Sequence, residues 1–323
     1  MLRWTYAFLV ALFCILPALA ADTLIVANNG ANSVSIIDTL TGQWLGALLV
    51  GRGPHEVALS SDGHTAYVAE SGSPENQGNS VAVIDVAKRR FKTRFTVSDC
   101  KMPHDLRVSH DGKRLWVVCA PTQTVVEMDA SSGKHRQTWK TNVDGGWMLE
   151  VSPDENTLLV AHLEGGGISF IDHRSSAVKF VPTAQGEMAF DITPNGKEVW
   201  AANSQKNSLT VIDVASRKVA TQFELPGEHP VRLKFTPDGK LALIPLSEQK
   251  KLLLYEVPSR KLLQTIDLPA TPKVTAVSKD GRRAYIGSPD SDQVMVVDLE
   301  NKRVLESIKV GKQPDGVAVA GGR

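Results

Sequence analysis

A Pro-His-acid triplet occurs twice in this sequence, and its residue types suit acid–base chemistry or metal binding. The two copies are Pro54-His55-Glu56 and Pro103-His104-Asp105. Imidazoles close to carboxylates can bind a transition metal, or can accept and donate protons near neutral pH. A third segment, Gly145-Gly146-Trp147, offers an indole that could form a flat wall for a planar ligand. These residues can act together only if the fold brings them to one place.

Internal repeats indicate how the fold could bring them together. A turn of the Asp-Gly type followed by a short apolar strand recurs at residues 61–63, 110–112, 153–155, 194–196, 237–239 and 279–281. A β-branched run that ends in an acid recurs seven times, with the acids Asp38, Asp85, Asp129, Asp172, Asp213, Glu256 and Asp298. These acids stand in every repeat, so they are turn residues and not a site. Short alternating strands with Gly, Asn and Asp turns, and no helical period, are typical of a β-propeller.

The count of six turns against seven strand ends predicts how the ring closes. Residues 316–320 would supply the inner strand of the last blade, and residues 23–50 would supply its three outer strands. We therefore predict an all-β, seven-bladed β-propeller with four-stranded blades, whose last blade is closed by the N- and C-terminal strands. Residues 21–323 would form this single domain.

The register of the inner strands predicts which side chains face the central channel. Alternate positions are apolar and would lie between blades, whereas the positions between them carry the charges Glu56, Asp105, Arg107, Glu150, Asp191, Arg232 and Lys234. At the channel rim, where each inner strand starts, stand His55, His104, Trp147, Met188, Val231, Lys273 and Asp315. From both sets, with the neighbouring Glu187, we predict these ligand-binding residues: His55, Glu56, His104, Asp105, Arg107, Trp147, Glu187, Arg232, Lys273 and Asp315.

Two interpretations of these residues stay open. In one, the rim binds a ligand, and His55 and His104 are the candidates for a divalent metal. In the other, each histidine caps a turn or bonds a carboxylate, and the channel charges pair with one another because unpaired buried charge is costly. The sequence assigns no catalytic residue. No cofactor is evident, and no Cys-x-x-Cys-His motif for covalent haem is present.

The N-terminus predicts export from the cytoplasm. Residues 1–20 have the pattern of a signal peptide, with Arg3 before the apolar run 6–16 and Ala18-Leu19-Ala20 as the cleavage site. We therefore expect a periplasmic or secreted protein with no membrane span in the mature chain. Cys14 would leave with the signal, so Cys100 and Cys119 remain as an even pair. In an oxidising compartment such a pair predicts a disulfide, since both lie near the rim end of one blade.

Composition narrows the class of partner. The formal net charge is +1, and no long run of Lys or Arg occurs. Because nucleic-acid binding normally needs a larger basic surface, we expect no nucleic-acid partner. The expected partners are a small-molecule ligand or a periplasmic partner protein, and the expected state is a monomer.

The repeats resemble those of a known family. TAYVAESGSPENQGNSVAVID, EVWAANSQKNSLTVID and RAYIGSPDSDQVMVVD are similar to the YVTN-type β-propeller repeat, and the likeness covers essentially the whole mature chain. The resemblance implies the seven-bladed fold. Some exported members of this family are associated with pyrroloquinoline quinone-dependent oxidation of alcohols, and seven-bladed lactonases share the architecture. Fold alone does not choose among these functions.

We therefore expect a periplasmic binding or accessory protein that engages a small ligand, a cofactor or a partner protein through the channel rim. By the resemblance, its context would be a quinone-dependent oxidation system. One alternative is a lactonase-type hydrolase with its site at the channel mouth, formed by His55, Glu56, His104 or Glu187. A second alternative is a protein-interaction scaffold without a small-molecule site. Whether the protein is an enzyme stays open, and a non-catalytic role is the main expectation.

Overall fold

Seven four-stranded antiparallel sheets form the blades of a β-propeller, as the repeats predicted. The computed structural model describes residues 23–183 and 186–320, so the predicted signal peptide and Cys14 lie outside the described residues. In blades 1 to 6 the strands follow the chain from the inner to the outer position. In blade 7 the C-terminal strand is innermost and the three N-terminal strands complete the sheet. The chain termini thus close the ring together.

The strands occupy equivalent positions in all blades. The inner strands of blades 1 to 7 are β4 (Pro54–Leu59), β8 (Pro103–Val108), β12 (Gly146–Val151), β16 (Glu187–Ile192), β20 (Lys234–Phe235), β24 (Val274–Val277) and β28 (Pro314–Ala320). The second strands are β5 (Thr65–Gly72), β9 (Arg114–Cys119), β13 (Thr157–His162), β17 (Glu198–Asn203), β21 (Leu241–Leu246), β25 (Arg283–Ser288) and β1 (Thr23–Asn28).

The outer half of each blade is equally regular. The third strands are β6 (Gln77–Asp85), β10 (Thr124–Asp129), β14 (Gly167–Asp172), β18 (Ser208–Asp213), β22 (Lys251–Glu256), β26 (Gln293–Asp298) and β2 (Ser33–Asp38). The outermost strands are β7 (Arg90–Thr96), β11 (His135–Lys140), β15 (Val178–Pro182), β19 (Lys218–Glu224), β23 (Lys261–Asp267), β27 (Arg303–Lys309) and β3 (Trp44–Leu49). A short 3₁₀ helix, Asn29–Ala31, joins β1 to β2. No helix in the described ranges is long and apolar enough to cross a membrane.

The hydrophobic core is divided among the seven interfaces between blades. Each interface holds its own cluster of buried apolar side chains. The cluster that joins blades 6 and 7 contains Leu24 and Ile37 from the N-terminal strands and Tyr285 from β25. Ring closure is therefore stabilised by apolar burial as well as by the pairing of β1 with β28.

The repeated acids make turns, as the sequence indicated. Asp38 Oδ1 accepts hydrogen bonds from the backbone N–H groups of Leu40 and Thr41, both at 2.9 Å. The Thr41 N–H lowers the pKa of this carboxyl, and the opposing effect of burial is smaller. Asp172 and Asp298 accept equivalent bonds in their own blades. These acids fix the connection between the third and outermost strands.

Candidate functional site at the channel rim

The inner strands begin with β-bulges, and the bulges carry the predicted rim residues. In blade 1, Pro54 pairs with Glu70 and Val57 with Val68, so His55 and Glu56 together oppose one residue of β5. The same irregularity occurs in blades 2, 3, 4 and 7, at His104-Asp105, Trp147, Met188 and Asp315. A bulge twists a strand locally and redirects its side chains. In blades 1 and 2 the bulge places two successive residues, His55-Glu56 and His104-Asp105, opposite a single residue of the neighbouring strand.

Three aromatic side chains from three adjacent blades form a row that we call the rim cluster: His55, His104 and Trp147. The His55 and His104 ring centroids are 4.5 Å apart, with the rings inclined by 34°. The His104 and Trp147 centroids are 4.9 Å apart, with the rings edge-on at 77°. His104 Nδ1 lies 2.9 Å from the carbonyl oxygen of Trp147. A carbonyl only accepts, so this nitrogen carries the proton in the neutral ring.

Asp315 anchors the other end of the rim cluster. Its Oδ2 lies 2.9 Å from His55 Nδ1, and its Oδ1 lies 2.7 Å from Lys273 Nζ. Burial opposes ionisation of Asp315, yet His55 and Lys273 outweigh it and hold the pKa of this carboxyl well below its usual range. Blades 6, 7, 1, 2 and 3 thus contribute five predicted residues to one continuous arc.

The orientation of both imidazoles is set by their Nδ1 contacts. Neither His55 Nε2 nor His104 Nε2 has a hydrogen-bond partner among the described residues. An imidazole held through one nitrogen presents the other for a ligand, a proton or a metal ion. Among the side chains that the structure describes, which do not include that of Glu187, no group of three or more His, Cys, Asp or Glu could hold a metal ion. A metal on His55 and His104 would therefore need further ligands beyond these side chains, and metal binding stays a prediction.

A buried ion pair lies directly below the rim cluster. Arg232, from the segment before β20 in blade 5, contacts the carboxylate of Glu56 in blade 1. Its second terminal nitrogen lies 3.2 Å from the sulfur of Met148 in blade 3. Burial lowers the pKa of Arg232 to about 10, which leaves it charged at neutral pH. Because this side chain reaches two blades across the ring, it forms a floor beneath the rim.

The deeper channel charges pair with one another. Arg107 contacts Asp105 at 2.5 Å and Glu150 at 2.7 Å, and Lys234 contacts Glu150 at 2.5 Å and Asp191 at 3.7 Å. Burial disfavours ionised Glu150, but Arg107 and Lys234 outweigh it and lower its pKa. Burial raises the pKa of Asp191 and of Asp105. Asp105 also accepts the backbone N–H of Leu149 at 3.0 Å. These side chains already have partners, so the rim holds the groups that are open to a ligand.

A family comparison bears on this arrangement. The model of a family described as YNCE-like beta-propeller matches residues 73–238, just over half of the chain. The chain belongs to the YNCE-like β-propeller family. This membership agrees with the YVTN-type resemblance of the repeats and with the seven blades. No curated protein sequence matches this YNCE-like propeller significantly.

Solved structures of other proteins share the fold at low sequence identity. A functionally unknown protein from Desulfotomaculum acetoxidans has a TM-score of 0.80 at 13% identity, covering 93% of this chain and 99% of that one. Hydrazine synthase of Kuenenia stuttgartiensis has a TM-score of 0.71 at 20% identity, covering 82% and 88%. Dihydro-heme d1 dehydrogenase NirN, in complex with DHE, has a TM-score of 0.66 at 15% identity, covering 93% and 75%. At these identities the likeness establishes the fold alone.

The cysteine prediction is confirmed in this YNCE-like propeller. Cys100 and Cys119 form a disulfide, with Cα atoms 5.4 Å apart and 19 positions of sequence between them. Cys119 pairs with Pro103 in the β8–β9 ladder, so the bridge lies beside the bulge that carries His104. The disulfide thus fixes the loop that leads into the rim cluster.

The long β5–β6 connection is also tied to the rim. Glu70 is buried and accepts hydrogen bonds from the Gly51 N–H, the Ser80 hydroxyl and the Arg94 guanidinium, all between 2.6 and 2.9 Å. The Ser71 hydroxyl donates to the carbonyl of Pro103. The hairpin and the disulfide loop enclose a groove of about 1420 Å³, lined mainly by Asn, Gln, Ser and Thr side chains.

Two further predicted residues are not part of the rim cluster as described, and one contact there was not predicted. The backbone of Glu187 begins β16 opposite Asn203, but its side chain is outside the described part of the structure. His162, expected on the rim face, is buried and bonds the Ser169 hydroxyl at 2.8 Å. Burial lowers the pKa of His162 to about 4. Glu164, which the sequence did not single out, accepts the Trp147 Nε1 hydrogen bond at 2.9 Å.

Proposed function

We propose that this protein is an exported binding or accessory protein that holds a small planar ligand or cofactor on the rim cluster. The observation that carries the proposal is the row of His55, His104 and Trp147, held in place by three separate blades. Aromatic side chains fixed in this way form a preorganised stacking surface for a conjugated ring. The Arg232–Glu56 pair spans the ring next to His55, so a ligand on the rim cluster would lie against it.

Charge around the site indicates what kind of ligand fits. Lys273 is balanced by Asp315, and Arg232 is balanced by Glu56. With these charges cancelled, stacking and the two free imidazole Nε2 atoms would dominate binding. A conjugated ligand with hydrogen-bonding groups fits this surface. Pyrroloquinoline quinone is a conjugated quinone with hydrogen-bonding groups, and it matches the oxidation system that the repeat family implies. Its carboxylates could contact the half-exposed Lys273 at the edge of the rim cluster. Support also comes from NirN, a propeller-containing neighbour that was solved in complex with DHE.

Replacing Trp147 with alanine tests the proposal. Loss of one stacking partner costs about 1–3 kcal/mol, so the affinity for pyrroloquinoline quinone should fall about 5- to 150-fold. Isothermal titration calorimetry would measure the affinity, and thermal unfolding would show that the variant is folded, with a melting temperature lowered by the loss of Trp147 packing on the core between blades 3 and 4. Trp44→Ala is the matched control, because Trp44 is an exposed tryptophan on the outermost strand of blade 7. Equal affinity for wild type and Trp147→Ala, or equal losses in both variants, would contradict binding at the rim.

The Asp315–His55 contact favours a second candidate, hydrolysis. A buried carboxylate beside an imidazole is the arrangement with which many hydrolases orient a histidine base and stabilise the imidazolium that forms. His55 Nε2 could then take a proton from water that attacks a lactone carbonyl. This candidate predicts hydrolysis of a lactone panel above background and its loss in His55→Gln. Background rates for the wild-type protein would remove this candidate and leave the binding proposal unaffected.

A further inference from the structure

The outermost strand of blade 7 differs from the other six in carrying no charged side chain. Strand β3 reads WLGALL, and the whole stretch 39–51 lacks Asp, Glu, Lys and Arg. Each of the other outermost strands contains at least one Lys or Arg, as in RFKTRFT of β7 and RVLESIK of β27. An outermost strand leaves one row of backbone N–H and C=O groups unpaired, and proteins usually protect such edges with charged residues. Strand β3 lacks this protection.

The same segment exposes the largest apolar surfaces. Among the described large apolar side chains, Leu49 is 81% exposed, Leu40 is 69% exposed and Trp44 is 58% exposed. The next most exposed, Val219 on β19, reaches 45%. Leu40 lies in the turn before β3, and the other two stand at the ends of the strand. Unpaired backbone groups beside apolar side chains are what a β-strand of another molecule can bind.

We propose that β3 pairs with β3 of a second copy of this chain, antiparallel across a two-fold axis, and joins two four-stranded blades into one continuous sheet. Across such an axis the central residues face their own counterparts, so a charged residue there would meet a like charge. The same pairing through β7 would be centred on Thr93 and would place Lys92 opposite Arg94 of the other copy, so like charges would meet. Strand β3 avoids this repulsion, and its two central residues, Gly46 and Ala47, allow close approach.

The length and position of β3 determine how stable this dimer is and whether it affects the rim cluster. A strand of 6 residues is about 20 Å long. An interface built on it falls at the small end of specific interfaces, so dimerisation should depend on concentration. Strand β3 lies at the perimeter of the ring, which leaves the rim cluster of both copies open. The dimer is therefore independent of the proposed ligand site, and it replaces the monomer expected from the sequence.

Sedimentation equilibrium on the full mature chain tests the dimer. We expect the average mass of the wild type to rise toward that of a dimer with concentration, and Leu49→Lys to stay monomeric. Leu49 is almost fully exposed, so this change should not affect folding. Val219→Lys, the matched change on β19, should dimerise like the wild type. Hydrogen exchange should show β3 amides protected at high concentration in the wild type but not in Leu49→Lys.

Three results would overturn the proposal. A wild-type protein that stays monomeric up to its solubility limit would exclude self-pairing and leave an extended segment of a different protein as the occupant of β3. Equal dimerisation of the wild type, Leu49→Lys and Val219→Lys would place the interface elsewhere on the molecule. Dimerisation without concentration-dependent protection of the β3 amides would show that side-chain contacts, and not strand pairing, hold the copies together.

Discussion

Replacing Arg232 with alanine is expected to lower the free energy of unfolding by about 3–5 kcal/mol. Arg232 is buried, and its guanidinium contacts the buried carboxylate of Glu56 from the opposite side of the ring. Removing the cation leaves an uncompensated negative charge in the channel, and the cost of that charge exceeds the value of the original pair. Because whole domains are stabilised by only about 5–15 kcal/mol, this loss would be a large share of the total.

Denaturant unfolding followed by circular dichroism would measure the loss. Arg136→Ala is the control, because Arg136 pairs with Asp129 at 2.7 Å but lies on an exposed outermost strand. An exposed pair of this kind contributes about 1 kcal/mol or less. If Arg232→Ala does not fold, the double change Arg232→Met with Glu56→Leu serves instead, because it removes both charges and should restore most of the stability. Equal losses for Arg232→Ala and Arg136→Ala would show that the pair is not buried in solution.

The sequence predicted the ring because the repeats carry their own local signals. Each blade has a β-branched third strand that ends in an acid, and the acid makes its turn through neighbouring backbone N–H groups. Such signals need no knowledge of distant contacts, so they could be read for every blade. The split blade followed from counting, because Thr23–Asn28 matched the second strands of the other blades and only the C-terminus could supply its inner neighbour. The disulfide followed from strand positions in the same way.

The contacts between site residues were less predictable from the sequence, because closure of the ring determines which side chains meet. Glu56 and Arg232 are 176 positions apart, and no local pattern pairs them. His104 is held by a backbone carbonyl of Trp147, which any residue at that position would provide. The bulges interrupt the period-two register, so His104 and Asp105 are both buried although they are adjacent. Sequence register therefore identified the residues of the rim and channel, whereas their contacts required the structure.

Lowering the pH is expected to destabilise the protein through His104, and His104→Gln is expected to remove much of that effect. Burial, with a smaller contribution from the charge of His55, lowers the pKa of His104 from 6.5 to about 3. Asp315 and the Trp147 carbonyl raise this pKa, whereas Lys273, like His55, lowers it. In the unfolded chain the imidazole takes up a proton near its ordinary pKa, so between pH 6.5 and 3 the unfolded state binds more protons. The contribution of His104 to the free energy of unfolding is then complete above pH 6.5. It decreases as the pH is lowered, by about 3 kcal/mol at pH 4.5.

The quantity to measure is the change in unfolding free energy between pH 7 and pH 4.5, compared between the wild type and His104→Gln. Asp191, whose pKa burial raises, and His162, whose pKa burial lowers, titrate in both proteins, so their contributions cancel in the difference. Glutamine can still donate to the Trp147 carbonyl, which keeps the rim contact while removing the titration. His135→Gln, the same substitution at an exposed histidine of β11, is the control for the substitution itself. If His104→Gln loses as much stability at low pH as the wild type, then His104 is not buried as a neutral ring and the rim cluster is more open to water than its contacts require.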